Sequence, residues 1–284
     1  MEGMKKLTVI ILAVVLWLCE CMFMGIFAVD AGASERSVKS GLEASNIVTE
    51  LTESTLKANT VNMGGAYGDK MKAVMESDAM TDFFTAYISS GIKSVVYGND
   101  QPEIANDELL QAFSEGIDQV NASGKYSISS DEQALFEQYA SNATPDLTAS
   151  LSDTMSKYEL VTTDATNSNM KQSAGSMSFT TMMKPMVRIV LGLIILAAIF
   201  IIATLSKGTA RFGVRTVMPT LLATGIYGYL GYKGTSSLNT TDAFMSQLVK
   251  CGATTVAIGG AVACIILTII GIVIKRKAAI NALG

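Results

Sequence analysis

Val187 to Leu205 reads VRIVLGLIILAAIFIIATL, a stretch whose only charge is Arg188 and which contains no proline. At 1.5 Å per residue a helix of this length measures about 28 Å, close to the hydrocarbon thickness of a bilayer. Inside lipid every backbone N–H and C=O has to be satisfied within its own segment, so a helix is the conformation open to such a run. Taken as residues 186–206, it is the clearest membrane span in the chain.

Three further runs have comparable character. Residues 7–29 are apolar except for Glu20, and residues 212–232 and 251–274 follow the first span toward the C-terminus. The run 212–232 carries Arg215 near its start and Pro219 a turn later, which reads as a kinked helix with Arg215 snorkelling to the interface. A rival reading applies to the first run. Met4 to Lys6, an apolar stretch and then Ala31-Gly32-Ala33 have the layout of a signal peptide with an A-x-A cleavage site. The apolar run is longer than an ordinary signal-peptide core, which favours a retained helix.

If four helices span, Lys5 and Lys6, then Lys207 and Arg211, then Lys275, Arg276 and Lys277 fall on one side, which the positive-inside rule makes the cytoplasm. The expected layout is a cytoplasmic start at 1–6, an extracytoplasmic helical domain at 30–160 and a polar stalk at 161–185. A short external loop occupies 233–250, and a cytoplasmic tail 275–284. The fold class is then all-α, a multi-pass protein of the cell membrane with both termini cytoplasmic.

Composition supports a composite of this kind. The chain is 49% apolar, yet residues 30–184 hold 22 acidic against 10 basic side chains, while the remainder holds 3 against 11. A middle segment that acidic lacks the clustered Lys and Arg that phosphate neutralisation needs, so nucleic acid is excluded as a partner. Cys19, Cys21, Cys251 and Cys264 all lie in or beside apolar runs, leaving the middle without a disulfide framework. Histidine is absent, which removes the commonest general base at neutral pH and the commonest zinc ligand.

Apolar residues recurring at three and four predict helices in the middle segment. One stripe runs through Val38, Leu42, Val48, Leu51 and Leu56. A second, stronger one runs from Met80 to Val96 and ends at Gly98. After Gly98-Asn99-Asp100, Pro102 stands near the first position of a third helix, with Glu103 placed to reach back to Asp100. Ser130 and Gln133 have capping-box spacing for a fourth, which Pro145 restarts before Leu147, Leu151, Met155 and Tyr158. Residues 161–184 lose the pattern and read as a polar stalk, helical rather than flexible.

The segment ESDAMTDFFTAYISSGIKSVVYGNDQPEIANDELLQAFSEGIDQV, Glu76 to Val120, lies between an N-terminal apolar helix and a C-terminal helical trio. In this layout, with its aromatic helix, Tyr-Gly turn and following Pro-Glu-Ile, the chain resembles a loose group of uncharacterised four-pass membrane proteins of Gram-positive bacteria with an extracellular helical domain. The resemblance implies a bacterial cell-membrane protein and carries over no functional residues.

Motifs that would carry chemistry are weak. Ser54-Thr55-Leu56-Lys57 and Ser90-Gly91-Ile92-Lys93 fit S-x-x-K, but the S-D-N and K-T-G companions of the penicillin-binding enzymes are missing. Asp100, Glu103, Asp107 and Glu108 lack the alternating loop of a calcium site and read as a solvated helix start. Met177, Met182, Met183 and Met186 suit interfacial packing better than Cu(I). The sequons at Asn121, Asn142 and Asn239 matter only in a glycosylating secretory pathway. No catalytic, cofactor-binding or metal-binding residue is assigned, and no cofactor is expected.

Two polar residues inside the spans remain as candidates, Glu20 and Arg188, because ionisable groups in a membrane are costly enough to be functional by default. They could pair, yet on antiparallel helices their side chains lean apart. The alternative is a neutral Glu20 bonded to Thr220, Thr224, Thr254 or Thr255, or one near the interface. The expected role is a non-enzymatic, membrane-anchored interaction module that meets an envelope protein or a membrane-subunit partner. The alternatives are an ABC-permease-like or other transport-complex subunit, and a signalling or stress-response regulator.

Overall fold

The computed structural model describes residues 2–58, 66–97, 99, 103–157, 183–205, 211–233 and 243–281. Among these the regular structure is entirely helical: α1 (Glu2–Gly32), α2 (Glu35–Glu43), α3 (Ile47–Ala58), α4 (Ala66–Met75), α5 (Asp78–Tyr97), α6 (Asn106–Ser123), α7 (Ser130–Lys157), α8 (Pro185–Leu205), α9 (Arg211–Lys233) and α10 (Ala243–Asn281). The chain divides into two compact units. An apolar unit comprises Met1–Gly32, Thr181–Thr240 and Leu248–Gly284, and a polar unit comprises Ala33–Thr180 and Thr241–Gln247.

In the apolar unit three helices are long and apolar enough to cross a membrane, over Leu7–Gly32, Pro185–Leu205 and Ala243–Lys277. Their exposed faces are greasy. Ile10, Val14 and Leu18 of α1, Ile189, Leu193 and Phe200 of α8, and Ile258, Ile265 and Ile269 of α10 all stand on the surface. Exposed apolar area this continuous is a liability in water and the ordinary condition of a lipid-facing wall. Inside, Leu16 of α1 packs with Ala198 and Ile202 of α8 and Phe212 of α9, while Met24 packs with Ala223 of α9 and Val256 of α10.

Small residues set how closely these helices approach. A Cβ on Gly252 of α10 would run into the backbone carbonyl of Ala28, and one on Gly32 of α1 would come 3.1 Å from the Leu248 carbonyl. The two helices are therefore antiparallel and nearly in backbone contact. Between α9 and α10, Gly231 faces Thr254, Gly228 faces Ala257, Gly260 faces Thr224 and Gly271 faces Gly213. Each step forward on α9 is a step back on α10, so this pair is antiparallel as well.

The run 212–232 thus folds as a helix, α9, continuous through Pro219. It does not reach the apolarity of the other three because it carries Arg215, Pro219, four glycines and three tyrosines among its apolar residues. Thr216 and Thr224 donate to the carbonyl four residues back, at 3.0 and 2.7 Å, and the Thr220 hydroxyl lies 3.0 Å from the Thr216 carbonyl. Thr216 and Thr220 are buried, while Val214, Met218, Leu221 and Leu222 form the exposed face.

In the polar unit, α5 packs on α2 and α6, α6 on α4 and α7, and α3 on α7. The core is built from Val38, Leu51, Met71, Phe84, Phe113 and Phe136. Helix α5 opens where the Ser77 hydroxyl accepts from Met80 N at 3.3 Å and Gln119 Oε1 accepts from Ala79 N at 3.1 Å, so two free amide donors of the first turn are satisfied. Helix α6 ends at Gly124, whose φ of 70° is the left-handed geometry that favours glycine at a helix C-terminus. At Gly116 a side chain would meet Ser77 Oγ at 2.7 Å and Val74 O at 3.3 Å, so α6 crosses α4 closely there.

Several expectations need correction. The stripe from Val38 to Leu56 is two helices, because the chain breaks at residues 44–46, where Ile47 N donates to the Ser45 hydroxyl. Helix α4 was not anticipated, although Met71, Val74 and Met75 have helical spacing and are buried. Helix α6 begins at Asn106 rather than near Pro102, with Asp107 and Glu108 complementing the amide dipoles of its first turn. The capping box is one residue earlier than Ser130 and Gln133: Ser129 N donates to Glu132 Oε2 at 2.8 Å, and Glu132 N donates to Ser129 Oγ at 3.4 Å. Helix α7 runs unbroken through Pro145 instead of restarting there. The first span extends to Gly32, so Asp30 belongs to α1 and not to the following domain.

The last helix departs most from expectation, starting at Ala243 inside the stretch read as a loop over 233–250. Phe244 is wholly buried, Gln247 Nε2 donates to Ser40 Oγ at 2.8 Å, and a Cβ on Gly41 would strike the Phe244 ring at 2.7 Å. These first turns are part of the polar unit's core. The polar stalk 161–185 lies outside the described residues up to residue 182, as do Asp100, Met177, Met182, Lys207 and Asn239.

Among the described residues, Lys39 and Lys70 form ion pairs that join separate helices of the polar unit. Lys39 Nζ lies 2.6 Å from Asp82 Oδ1, and that hydrogen bond, before any other influence, raises the Lys39 pKa. Lys70 Nζ donates to both Glu132 oxygens, at 2.7 and 2.9 Å. The Lys70 bond first, and the Ser129 amide second, hold the Glu132 carboxyl below the usual carboxylate range.

Candidate functional site

The candidate site is in the apolar unit, where α1 brings Glu20 to face α9. Glu20 is 6% exposed. Of the four threonines considered for it, Thr220 makes the bond, with Oγ1 2.7 Å from Glu20 Oε1. Thr224 and Thr255 bond to their own helices, at the carbonyls of Thr220 and Cys251, and Thr254 packs under Gly231. The same Thr220 hydroxyl lies 3.0 Å from the Thr216 carbonyl. A hydroxyl has one proton, so it donates to Glu20 or to Thr216, and in the second case Glu20 must supply the proton of their shared bond.

The second carboxyl oxygen, Oε2, is buried and has no hydrogen-bond partner among the described residues. Glu20 lines a cavity of about 560 Å³ whose wall also includes Phe23, Phe27, Asp30, Ile195, Val256 and Gly259. The rings of Phe23 and Phe27 pack in a tilted pair, 4.8 Å between centroids and 46° between planes. Gly259 leaves room, since a Cβ there would meet nothing within 4 Å. The wall is therefore mostly apolar, with the carboxyl groups of Glu20 and Asp30 and the hydroxyls of Thr220 and Thr255 set into it.

Arg188 does not join Glu20. Its guanidinium bonds to the Asp30 carboxylate and sits 5.7 Å from the centroid of the Phe27 ring. The helix-direction argument that sends Glu20 and Arg188 apart is in keeping with this geometry. Asp30 was missed as a partner because residue 30 was placed at the start of the polar domain. The available signal was two opposite charges at the same end of antiparallel helices, α1 and α8.

Above the site Tyr227 OH donates to the Cys21 carbonyl at 2.8 Å and lies over Gly25, whose missing side chain makes the space. The four cysteines are free thiols. Met183 is buried and Met186 is 72% exposed, so the described part of the methionine cluster does not converge. Ser90 is exposed on α5, away from that helix's buried stripe. Among the described residues no three His, Cys, Asp or Glu side chains gather where a metal ion could sit.

What the fold and site define is a class: an all-helical protein whose three long apolar helices fit a multi-pass membrane protein. No protein-family model matches the chain, and no curated protein or solved structure does so.

Proposed function

We propose that the protein is a four-pass membrane anchor that presents its acidic helical unit on the extracytoplasmic side to a protein partner, without catalysing a reaction. The observation that carries this reading is the pairing of α9 with α10. Contacts run from Gly213 against Gly271 to Gly231 against Thr254, so α9 tracks an apolar span for most of a bilayer thickness, about 27 Å at 1.5 Å per residue. A helix bound that way along a span, with an apolar outer face, is itself a span. Four crossings then put Lys5, Lys6, Lys207, Arg211, Lys275, Arg276 and Lys277 on one side, whereas three would send the last cluster across.

Retention of α1 follows from the same packing. Cleavage after Ala33 would remove Leu16, Glu20 and Met24, the residues on which α8, α9 and α10 converge. The interaction role is supported by charge segregation and by a polar unit with a core of its own, a combination that suits a displayed binding surface.

Single cysteines at Ser129, Gly208, Ser237 and Lys277, in a chain whose four native cysteines are replaced by serine or alanine, test the topology with an impermeant thiol reagent on intact cells. The reading expects labelling at positions 129 and 237 and protection at 208 and 277. Labelling at 277 with protection at 237 would establish three crossings and overturn it. For the role, deletion of residues 34–165 is expected to abolish partner capture in a crosslinking pull-down and to leave membrane insertion intact.

A further inference from the structure

We propose that the cavity beside Glu20 is a binding site for a hydrophobic amine, a molecule with an apolar body and one protonated nitrogen. The inference concerns the apolar unit alone and goes beyond the anchoring role. Three observations select this ligand class. The cavity, about 560 Å³, lies in the range of small-molecule sites, and its walls, including Phe23, Phe27 and Val256, are apolar. Glu20 lines it and is more than nine-tenths buried, and its Oε2 has no hydrogen-bond partner among the described residues. Of the two acids lining it, Asp30 is paired with Arg188, which leaves Glu20 as the acid available to a ligand, and no lining residue is basic.

Those facts discriminate between occupants. A lipid chain would fill the volume and leave Oε2 unsatisfied, and a buried acceptor without a donor is unfavourable. An anionic amphiphile would place its charge against Glu20. An ammonium group supplies both the missing donor and the opposite charge: its N–H bonds Oε2 while the Thr220 hydroxyl donates to Oε1, so both oxygens of the carboxylate are satisfied. The apolar body then lies along the tilted pair of Phe23 and Phe27 rings.

The chain's one tryptophan gives the assay. Trp17 is one helical turn from Glu20 and packs against the cluster of Met24 and Val256, two residues of the cavity wall. Full-length protein in lipid nanodiscs is titrated with 4-bromobenzylamine, 4-bromobenzyl alcohol or 4-bromobenzoate, whose bromine stays close to the polar group, and quenching of Trp17 by the bromine is followed. The amine is expected to quench saturably, and the alcohol and the acid to bind about tenfold or more weakly. Glu20→Gln should weaken the amine by a similar factor and leave the alcohol unchanged. Gly259→Leu, which fills the cavity but keeps the carboxyl group, should remove saturation.

Equal affinity for amine and alcohol would overturn the proposal, as would saturable amine quenching that survives Gly259→Leu. Absence of saturable quenching by the amine in the parent chain would also overturn it. None of these outcomes alters the thiol-labelling pattern, so this inference and the anchoring topology fail separately.

Discussion

Phe244→Ala tests whether the first turns of α10 belong to the core of the polar unit or to a loop. The ring is wholly buried, lies against Gly41 of α2, and is followed one turn later by the bond from Gln247 to Ser40. Removing a buried phenyl ring typically costs about 3–5 kcal/mol, from lost transfer free energy and the cavity left behind. In a unit of roughly 150 residues each kcal/mol moves the midpoint by about 2–4 °C, so the expected fall is about 6–20 °C. The assay is urea unfolding of nanodisc-reconstituted protein with a short protease pulse, following cleavage within α5 and α6. Lys250→Ala, at an exposed position of the same helix, serves as the control and should shift nothing. If Phe244→Ala changes the unfolding free energy by less than about 0.5 kcal/mol, as surface substitutions do, then residues 243–247 are not core and the packing against α2 is wrong.

Glu132→Gln should destabilise the polar unit at neutral pH. Because the folded carboxyl titrates below its unfolded value of about 4.3, the Lys70 bond stabilises fully above that pH and is lost as pH falls through the folded value; the gap between variant and parent should close on acidification, and a pH-independent gap would refute the assignment. Gly252→Val forces α10 away from the Ala28 carbonyl and should cost about 1–3 kcal/mol in SDS-driven unfolding, while Gly225→Ala, where a Cβ meets nothing within 4 Å, should be neutral or stabilising. A double-mutant cycle of Asp30→Ala and Arg188→Ala should give a coupling of about 0.5–3 kcal/mol, and additive effects would dissolve the pair.

The spans at 7–29 and 186–206 were legible because length and apolarity alone decide them, and the α5 stripe because eight apolar residues repeat on one face. What sequence could not supply was the limit of each helix where tertiary contacts set it. Residues 243–250 read as loop because Lys250 and Gln247 interrupt the hydrophobic run, yet Phe244 and Leu248, one turn apart, are both buried. Local polarity marks the edge of lipid and not the end of a helix. At the site, the preference of Glu20 for a threonine was readable, since a carboxyl group inside a span needs a partner and hydroxyls were the nearby supply. Which threonine it would be depends on the rotation of α9, fixed by packing far from the carboxyl group.

The threonines of α9 show how a helix buries hydroxyl groups against its neighbours. A hydropathy scale charges each hydroxyl with the cost of losing water. Thr216 and Thr224 avoid that cost by bonding the carbonyl one turn back. Thr220 has two acceptors within reach, Thr216 O and Glu20 Oε1, and can serve one at a time. The hydroxyl of Thr220 is thus turned toward α1, where it solvates the carboxyl group of Glu20 in place of water. Replacing Thr220 by valine, nearly the same in shape, would raise the apolarity of α9 and at the same time strip Glu20 of its hydrogen bond. If α9 is a span for the sake of that bond, the variant chain should insert as well as the parent yet pack less stably, and a gain in stability would mean that the carboxyl group does not depend on Thr220.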